Sequence, residues 1–159
     1  MIMKITVITA SYNCASVKSQ SFPDIEHIVI DGTSVDATLN ILEAHRSQLS
    51  LLISESDEGI YDALNKGISL ASGEVIGFLH SDDVFSSKDV LKNVASIFEV
   101  DSSVSAVYGD LVYVNRSMPD RAVRTWRSST FLPYFLKQGW MPPHPIICSS
   151  RMVRTYWWI

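Results

Sequence analysis

The residues best suited to chemistry are carboxylates that follow short apolar runs. Asp31 closes the run 27–30 and leads into Gly32-Thr33-Ser34-Val35-Asp36. Ser54-Glu55-Ser56-Asp57-Glu58-Gly59 follows 51–53, and His80-Ser81-Asp82-Asp83 follows 75–79. Adjacent acids such as Asp82-Asp83 offer hard oxygen ligands to Mg²⁺ or Mn²⁺, an ion that takes its remaining ligands from phosphates and water. One of the two acids could equally serve the N-terminus of the helix that begins near residues 86–88, where negative charge is favoured. Asp31, with a glycine and two hydroxyls behind it, suits a turn that brings backbone close to a flat ligand, and equally an Asx-type turn or a cap for the next helix. Asp36 reads as first-turn helix charge, and Asn65 and Lys66 as a solvated helix face. His80 precedes the acid pair and could reach a phosphate, although a lone histidine is more often structural. His144 sits in the proline-flanked loop 141–145. Acids gathered in three turns repel one another unless a cation or hydrogen-bond donors occupy the middle.

These turns need a scaffold that brings them together. Apolar, β-branched runs at 5–9, 27–30, 51–53, 75–79 and 104–108 predict strands covered on both faces. Helical periodicity predicts helices at 35–46, 59–71 and 88–99. The first is capped by Thr33 or Ser34 and buries Leu39, Ile41 and Leu42. The second turns Ile60, Ala63, Leu64, Gly67, Ile68 and Ala71 inward and stops at Ser72-Gly73, where glycine accepts a left-handed conformation. The third buries Val90, Leu91, Val94, Ala95 and Phe98 behind a Ser86 or Ser87 cap. Strand–helix alternation implies an α/β domain with a mostly parallel central sheet, and such a sheet binds ligands at the edge where its strands end. The link 11–25 shows little helical periodicity and contains Pro23. After Asp110 the pattern changes to a hairpin, 111–114 with 122–126, around the polar turn 115–120.

Length and composition narrow the classes. The chain has 159 residues, 47% hydrophobic and 19% charged, with a net charge of −4, which describes one ordinary globular domain over 1–159. No broad basic field exists to collect a nucleic-acid backbone, so a nucleic acid is not the expected partner. Cys14 and Cys148 are too few for a disulfide framework and lack zinc-site spacing. No run approaches about 18 apolar residues, so no spanning helix is expected and the location reads as cytoplasmic.

The ordered set of segments resembles the family 2 glycosyltransferases with the GT-A fold. The match runs through Ile5 to Asn13 (ITVITASYN), Pro23 to Thr38 (PDIEHIVIDGTSVDAT) and, most specifically, Ser54 to Asp83 (SESDEGIYDALNKGISLASGEVIGFLHSDD), with Tyr108-Gly109-Asp110 and Pro143-His144-Pro145 behind it. The resemblance implies a three-layer GT-A sandwich whose donor is a nucleotide-diphosphate sugar, UDP-linked by preference. It implies that Asp82 and Asp83 bind the divalent metal and the ribose or diphosphate, with Ser81 beside them. It implies that Thr9 or Ala10, with Ser11 and Tyr12, lines the nucleotide pocket, that Asp31 contacts the base, and that Asp57 and Lys66 belong to the donor-side segment. The acceptor would be a saccharide or a lipid-linked saccharide of a bacterial surface polysaccharide, which places the enzyme at the inner face of the membrane. Trp157 and Trp158 would suit a peripheral membrane contact.

Two departures from that pattern stand out. The stretch 14–21 is about a dozen residues shorter than the family leads one to expect, which leaves the first crossover cramped. The acceptor-side carboxylate that normally lies well beyond Pro-His-Pro is not reached by residue 159, so the C-terminal part of the acceptor region is expected to be lacking and Asp110 is the remaining candidate for the base. The competing reading is a shortened, catalytically inactive remnant that binds a nucleotide sugar. A nucleotidylyltransferase is disfavoured, because Ser11-Tyr12-Asn13-Cys14 is not a glycine-rich basic phosphate loop. A phosphoacceptor receiver domain would place its acids after different strands.

Overall fold

A computed structural model describes residues 3–10, 14–80, 83–115, 117–128 and 146–150. The elements are β1 (Ile5–Ala10), α1 (Cys14–Lys18), β2 (Ile25–Asp31), α2 (Thr38–Ala44), a 3₁₀ turn (Arg46–Gln48), β3 (Leu51–Ser54), α3 (Ile60–Leu70), β4 (Val75–Phe78), α4 (Val90–Val100), β5 (Ala106–Tyr108), β6 (Leu111–Asn115), β7 (Met118–Trp126) and β8 (Ile146–Ser149). Six strands form a sheet in the order β3-β2-β1-β4-β8-β5, and β6 and β7 pair separately. The strands β1 to β4 pair in parallel with one another, and β8 runs antiparallel to both β4 and β5. The expected mostly parallel α/β sheet is therefore present, with one inserted antiparallel strand whose short run 146–149 gives little signal behind the prolines at 142, 143 and 145.

Alternation along the strands divides the core. Ile5 and Val7 turn to one face, where Leu91, Val94, Ala95 and Phe98 of α4 join Val17 of α1 and Phe22. Ile8, Ile28 and Ile30 turn to the other face, against Ala63, Leu64 and Ile68 of α3. Leu42 of α2 covers Val29. Contact between α3 and β1 is close enough that a Cβ on Gly67 would lie 2.5 Å from Ile8 Cγ2, so only glycine lets the helix sit there. The full burial of Ile8, Ile28, Ile30 and Leu42 is the dominant stabilising term, each side chain contributing about 2 kcal/mol on transfer from water.

Several local expectations change. The helix α2 starts at Thr38, three residues later than its periodicity suggests, and Val35 is fully exposed while Ile41 is 40% exposed. Asp36, not Thr33 or Ser34, accepts the Thr38 backbone N–H at 2.9 Å. Ile60 is 48% exposed because α3 begins there, ahead of its inward stripe. Its preceding residue Gly59 takes φ +120°, a conformation that L side chains rarely adopt. Gly73 serves close approach instead of a left-handed stop: a Cβ there would lie 2.7 Å from Thr6 N and 2.8 Å from Lys4 O.

The short first crossover does contain helix, the single turn α1, and side chains anchor it. Gln20 Nε2 donates to Ser87 O at 2.7 Å, while Leu91 N–H donates to Gln20 Oε1 at 3.1 Å. Gln20 therefore satisfies an open N–H in the first turn of α4, the role expected of Ser86 or Ser87. Ser21 Oγ donates to Asp89 Oδ1 at 2.6 Å, and Phe85 N–H to Ser16 Oγ at 2.7 Å. Between this crossover and β2 lies a cavity of about 200 Å³ lined by Val17, Gln20, Phe22, Pro23, Ile25 and His27.

Candidate active site at the strand ends

Parallel pairing brings the ends of β1, β2, β3 and β4 to one edge of the sheet, and the register aligns Asp31 with Ser54. That alignment builds the best-defined polar cluster. Ser54 Oγ donates to Asp31 Oδ2 at 2.6 Å, Ser34 N–H donates to the same oxygen at 3.1 Å, and Ser34 Oγ donates to Oδ1. Asp31 is fully buried. Burial pushes its carboxyl pKa up, but the hydrogen bonds from Ser34 and Ser54 outweigh that, and the net shift is below the usual 3.8. Asp31 is thus held ionised in a fixed orientation. Ser54 was legible only as part of a motif; its bond to Asp31 depends on strand register, which a sequence read singly does not display.

Next to Asp31, the backbone of Gly32 runs against the Asp57 carboxylate. A Cβ at Gly32 would lie 2.5 Å from Asp57 Oδ2, so a side chain there would have to push the Asp57 carboxylate aside. Asp57 Oδ1 accepts the Gly59 backbone N–H at 3.0 Å. Thr33 has φ 61°, an uncommon conformation for a β-branched residue. Its strained turn holds Gly32 and Ser34 about the Asp31 side chain.

Lys66 braces the loop after β3. Its Nζ lies 3.1 Å from Glu55 Oε1 and 3.2 Å from Asp62 Oδ2, and donates to Ser56 O at 2.8 Å. Desolvation lowers the lysine pKa, the hydrogen bonds to Glu55 and Asp62 raise it, and the net shift is upward. In this state Lys66 positions Asp57 through the 55–57 backbone instead of extending toward a ligand.

The other anticipated residues divide. Thr9 is fully buried, its Oγ1 3.1 Å from His27 Nε2, so its side chain belongs to the interior and any ligand contact falls to its backbone. Ala10 is the last residue of β1 and is partly exposed at the edge. Ser11, Tyr12, Ser81 and Asp82 lie outside the described residues, as do His144, Trp157 and Trp158. Asp83 follows β4, and its N–H donates to His80 O at 3.1 Å, closing a turn. Among the described residues, His80 Nδ1 is buried without a hydrogen-bond partner, a costly state for a polar atom. Asp110 is exposed at the base of the β6–β7 hairpin and accepts both the N–H and the Oγ–H of Ser128, at 2.8 and 2.9 Å. Those bonds, the backbone one foremost, hold its pKa below the ordinary value. The sheet thus gathers Ala10, Asp31, Asp57 and Asp83 at the ends of neighbouring strands, with Asp110 at the end of β5.

A divalent metal fits the chemistry of this edge in part. Asp83 offers a hard oxygen donor of the type Mg²⁺ and Mn²⁺ prefer, and the orphaned His80 Nδ1 marks unsatisfied polarity beside it. Among the described residues, no three His, Cys, Asp or Glu side chains form a ligand cluster, so most of the shell would come from outside that set.

Comparison with known proteins decides the family. The model of Glycosyl transferase family 2 matches residues 6–155. The chain belongs to this family. An uncharacterised glycosyltransferase of Mycobacterium tuberculosis is 39% identical over 114 residues, 66% of this chain and 44% of the relative. A PGL/p-HBAD biosynthesis glycosyltransferase of Mycobacterium bovis is 34% identical over 61% of this chain and 39% of its own length. This family 2 chain therefore spans less than half the length of those relatives. Among solved structures, the mannosyltransferase PcManGT of Pyrobaculum calidifontis, in complex with GDP-Man and Mn²⁺, superposes with TM-score 0.60 at 26% identity, covering 69% of this chain and 36% of the other. TarS of S. aureus, in complex with UDP-GlcNAc, superposes with TM-score 0.73 over 96% of this chain and 47% of TarS, at 24% identity, a likeness of fold.

Proposed function

We propose that this family 2 domain binds a nucleotide-diphosphate sugar, UDP-linked by preference, and transfers the sugar with inversion to a saccharide or lipid-linked acceptor. The observation that carries the reading is the convergence of Asp31, Gly32 and Asp57 at the sheet edge where β1 and β4 also end. Asp31 is ionised but fully buried under the Gly32–Ser34 turn, so it meets the N–H edge of a base once that turn shifts on binding, while Gly32 keeps the backbone low enough for a flat ring to approach. Ala10 with Ser11 and Tyr12 forms the adjoining wall of the nucleotide pocket, with the Thr9 backbone behind them. Ser81 and Asp82 contact the ribose or diphosphate. Asp82 and Asp83 hold Mg²⁺ or Mn²⁺, which when bound offsets the negative charge that develops on the departing diphosphate. The complex of PcManGT with GDP-Man and Mn²⁺ supports that pairing of donor and metal. Lys66 keeps the Asp57 loop in place. Asp110 takes the acceptor hydroxyl's proton. Its lowered pKa keeps it ionised and ready to accept, at some cost in basicity.

The test is nucleoside-diphosphate release from a panel of UDP- and GDP-sugars with Mn²⁺. Release that falls on chelation and drops about a hundredfold in Asp82→Ala supports the reading. Metal-dependent release unchanged in Asp82→Ala contradicts it.

A further inference from the structure

The β6–β7 hairpin differs from the rest of the molecule in charge and in exposure. Residues 111–128 carry Arg116, Arg121, Arg124 and Arg127 against Asp120, a net charge of +3 in a chain of −4, which leaves −7 for everything else. Arg121, Arg124 and Arg127 are exposed. So are Val112, Val114, Met118 and Val123, the last at 68%. Soluble surfaces seldom place this many aliphatic side chains on one small element. On one face Tyr113 pairs with Arg124 and Leu111 with Trp126, and the Arg124 guanidinium lies 5.9 Å from the Tyr113 ring and 5.8 Å from the Trp126 ring. That spacing is within cation–π range. On the other face Val112 stands opposite Thr125.

A two-stranded ribbon on its own is marginally stable in water, and this one leaves Val112 exposed on one face and Tyr113 with Arg124 exposed on the other. We propose that the hairpin docks the protein onto an anionic lipid surface. Aliphatic side chains enter the acyl boundary, aromatic rings with a polar edge favour the headgroup level, and arginines pair with lipid phosphates. A neutral glycan would ask for hydrogen-bonding groups where Val112, Val114 and Val123 stand. A nucleic acid would have no use for those aliphatics either. The strand β5 is antiparallel to β8, which is antiparallel to β4, so β5 ends at the same sheet edge as β4 and hands directly to the hairpin through Asp110. Docking through the hairpin therefore brings the carboxylate-bearing edge toward the bilayer. This inference stands on the hairpin alone and does not depend on the transferase reading.

The experiment is cosedimentation of the full chain with phosphatidylcholine vesicles and with vesicles containing phosphatidylglycerol, at low and high salt. Binding to the anionic vesicles, weak on the neutral ones and suppressed by salt, is expected. Each basic side chain near an anionic surface contributes about fivefold in partitioning, so replacing Arg121 and Arg127 by Gln, which leaves Arg124 on its two rings, lowers it roughly twenty-five-fold. Val112→Ser with Val123→Ser lowers it without any change of charge, and thermal melts of both variants match the parent because the altered side chains are exposed. Absence of binding to the anionic vesicles overturns the proposal. Equal binding by the variants overturns it as well. So does finding that the hairpin variants abolish self-association in light scattering while vesicle binding is absent, since the occupant would then be a second copy of the chain.

Discussion

The donor-side half of the sheet and the β6–β7 hairpin are built on opposite terms. In β1, β2 and β4 nearly every side chain is buried, and helices cover both faces. In the hairpin most side chains are exposed, and its most specific contact is Arg124 against the Tyr113 and Trp126 rings. Packing fixes where Asp31 points, because the strand that carries it cannot shift without moving Ile28 and Ile30 out of the core. No such restraint acts on the hairpin, whose arrangement is available for contact with something else. The lesson is that one region is organised to hold a small ligand in a fixed geometry, and the other to meet a surface.

The largest effect separating the two regions is on stability. Ile8→Ala removes a fully buried side chain and is expected to cost about 4 kcal/mol. Val123→Ala, at 68% exposure, is expected to cost under about 0.5 kcal/mol. Urea denaturation of both variants measures the contrast, and comparable losses would break it.

A pH series sharpens the same contrast from the interior. Burial depresses His27 from 6.5 to about 4, so between those values the unfolded chain takes a proton that the native chain refuses. Stability then falls as pH drops through that window, by about 3 kcal/mol in all. His27→Gln, which keeps a partner for Thr9, should flatten that slope in equilibrium unfolding followed from pH 7 to 4. The lowered pKa of Asp31 acts lower on the scale: its stabilisation is present above 3.8 and is lost as pH falls below that.

Smaller still is the effect of removing one donor from the site. Ser54→Ala leaves Asp31 with the two Ser34 bonds and is expected to cost about 1.5 kcal/mol, as for a hydrogen bond to a charged group. Its melting temperature should drop modestly while donor affinity falls further, because Asp31 loses its orientation. A drop in melting temperature with unchanged affinity would separate Asp31 from ligand binding.

The sequence was most legible where periodicity and burial agree. The strands near 5–9, 27–30, 51–53 and 75–79 and the inward stripes of α3 and α4 follow from apolar spacing alone. The start of α2 did not. First-turn N–H groups are met by Asp36 for α2 and by Gln20 for α4, and Gln20 lies far away in the chain from the helix it serves. Gly73 was read for its conformational freedom, yet its place is set by Thr6 and Lys4 across the fold. Strand β8 was missed because a short apolar run behind prolines carries little signal until β4 and β5 offer it hydrogen bonds. At the site, the clustering of Asp31 and Asp57 was foreseeable from parallel topology. Thr9 was assigned to the pocket although alternation along β1 turns it inward with Ile5 and Val7, toward His27.

The central claim is a nucleotide site organised by Asp31 at the strand ends. Isothermal titration of UDP into the chain, with and without Mn²⁺, alongside Asp31→Asn, tests it most directly. The account predicts binding that Mn²⁺ strengthens and that Asp31→Asn weakens at least about tenfold, with a melt that shows the variant folded. Equal affinity for UDP in parent and variant, or a cooperatively folding parent that binds neither UDP nor GDP, would contradict it.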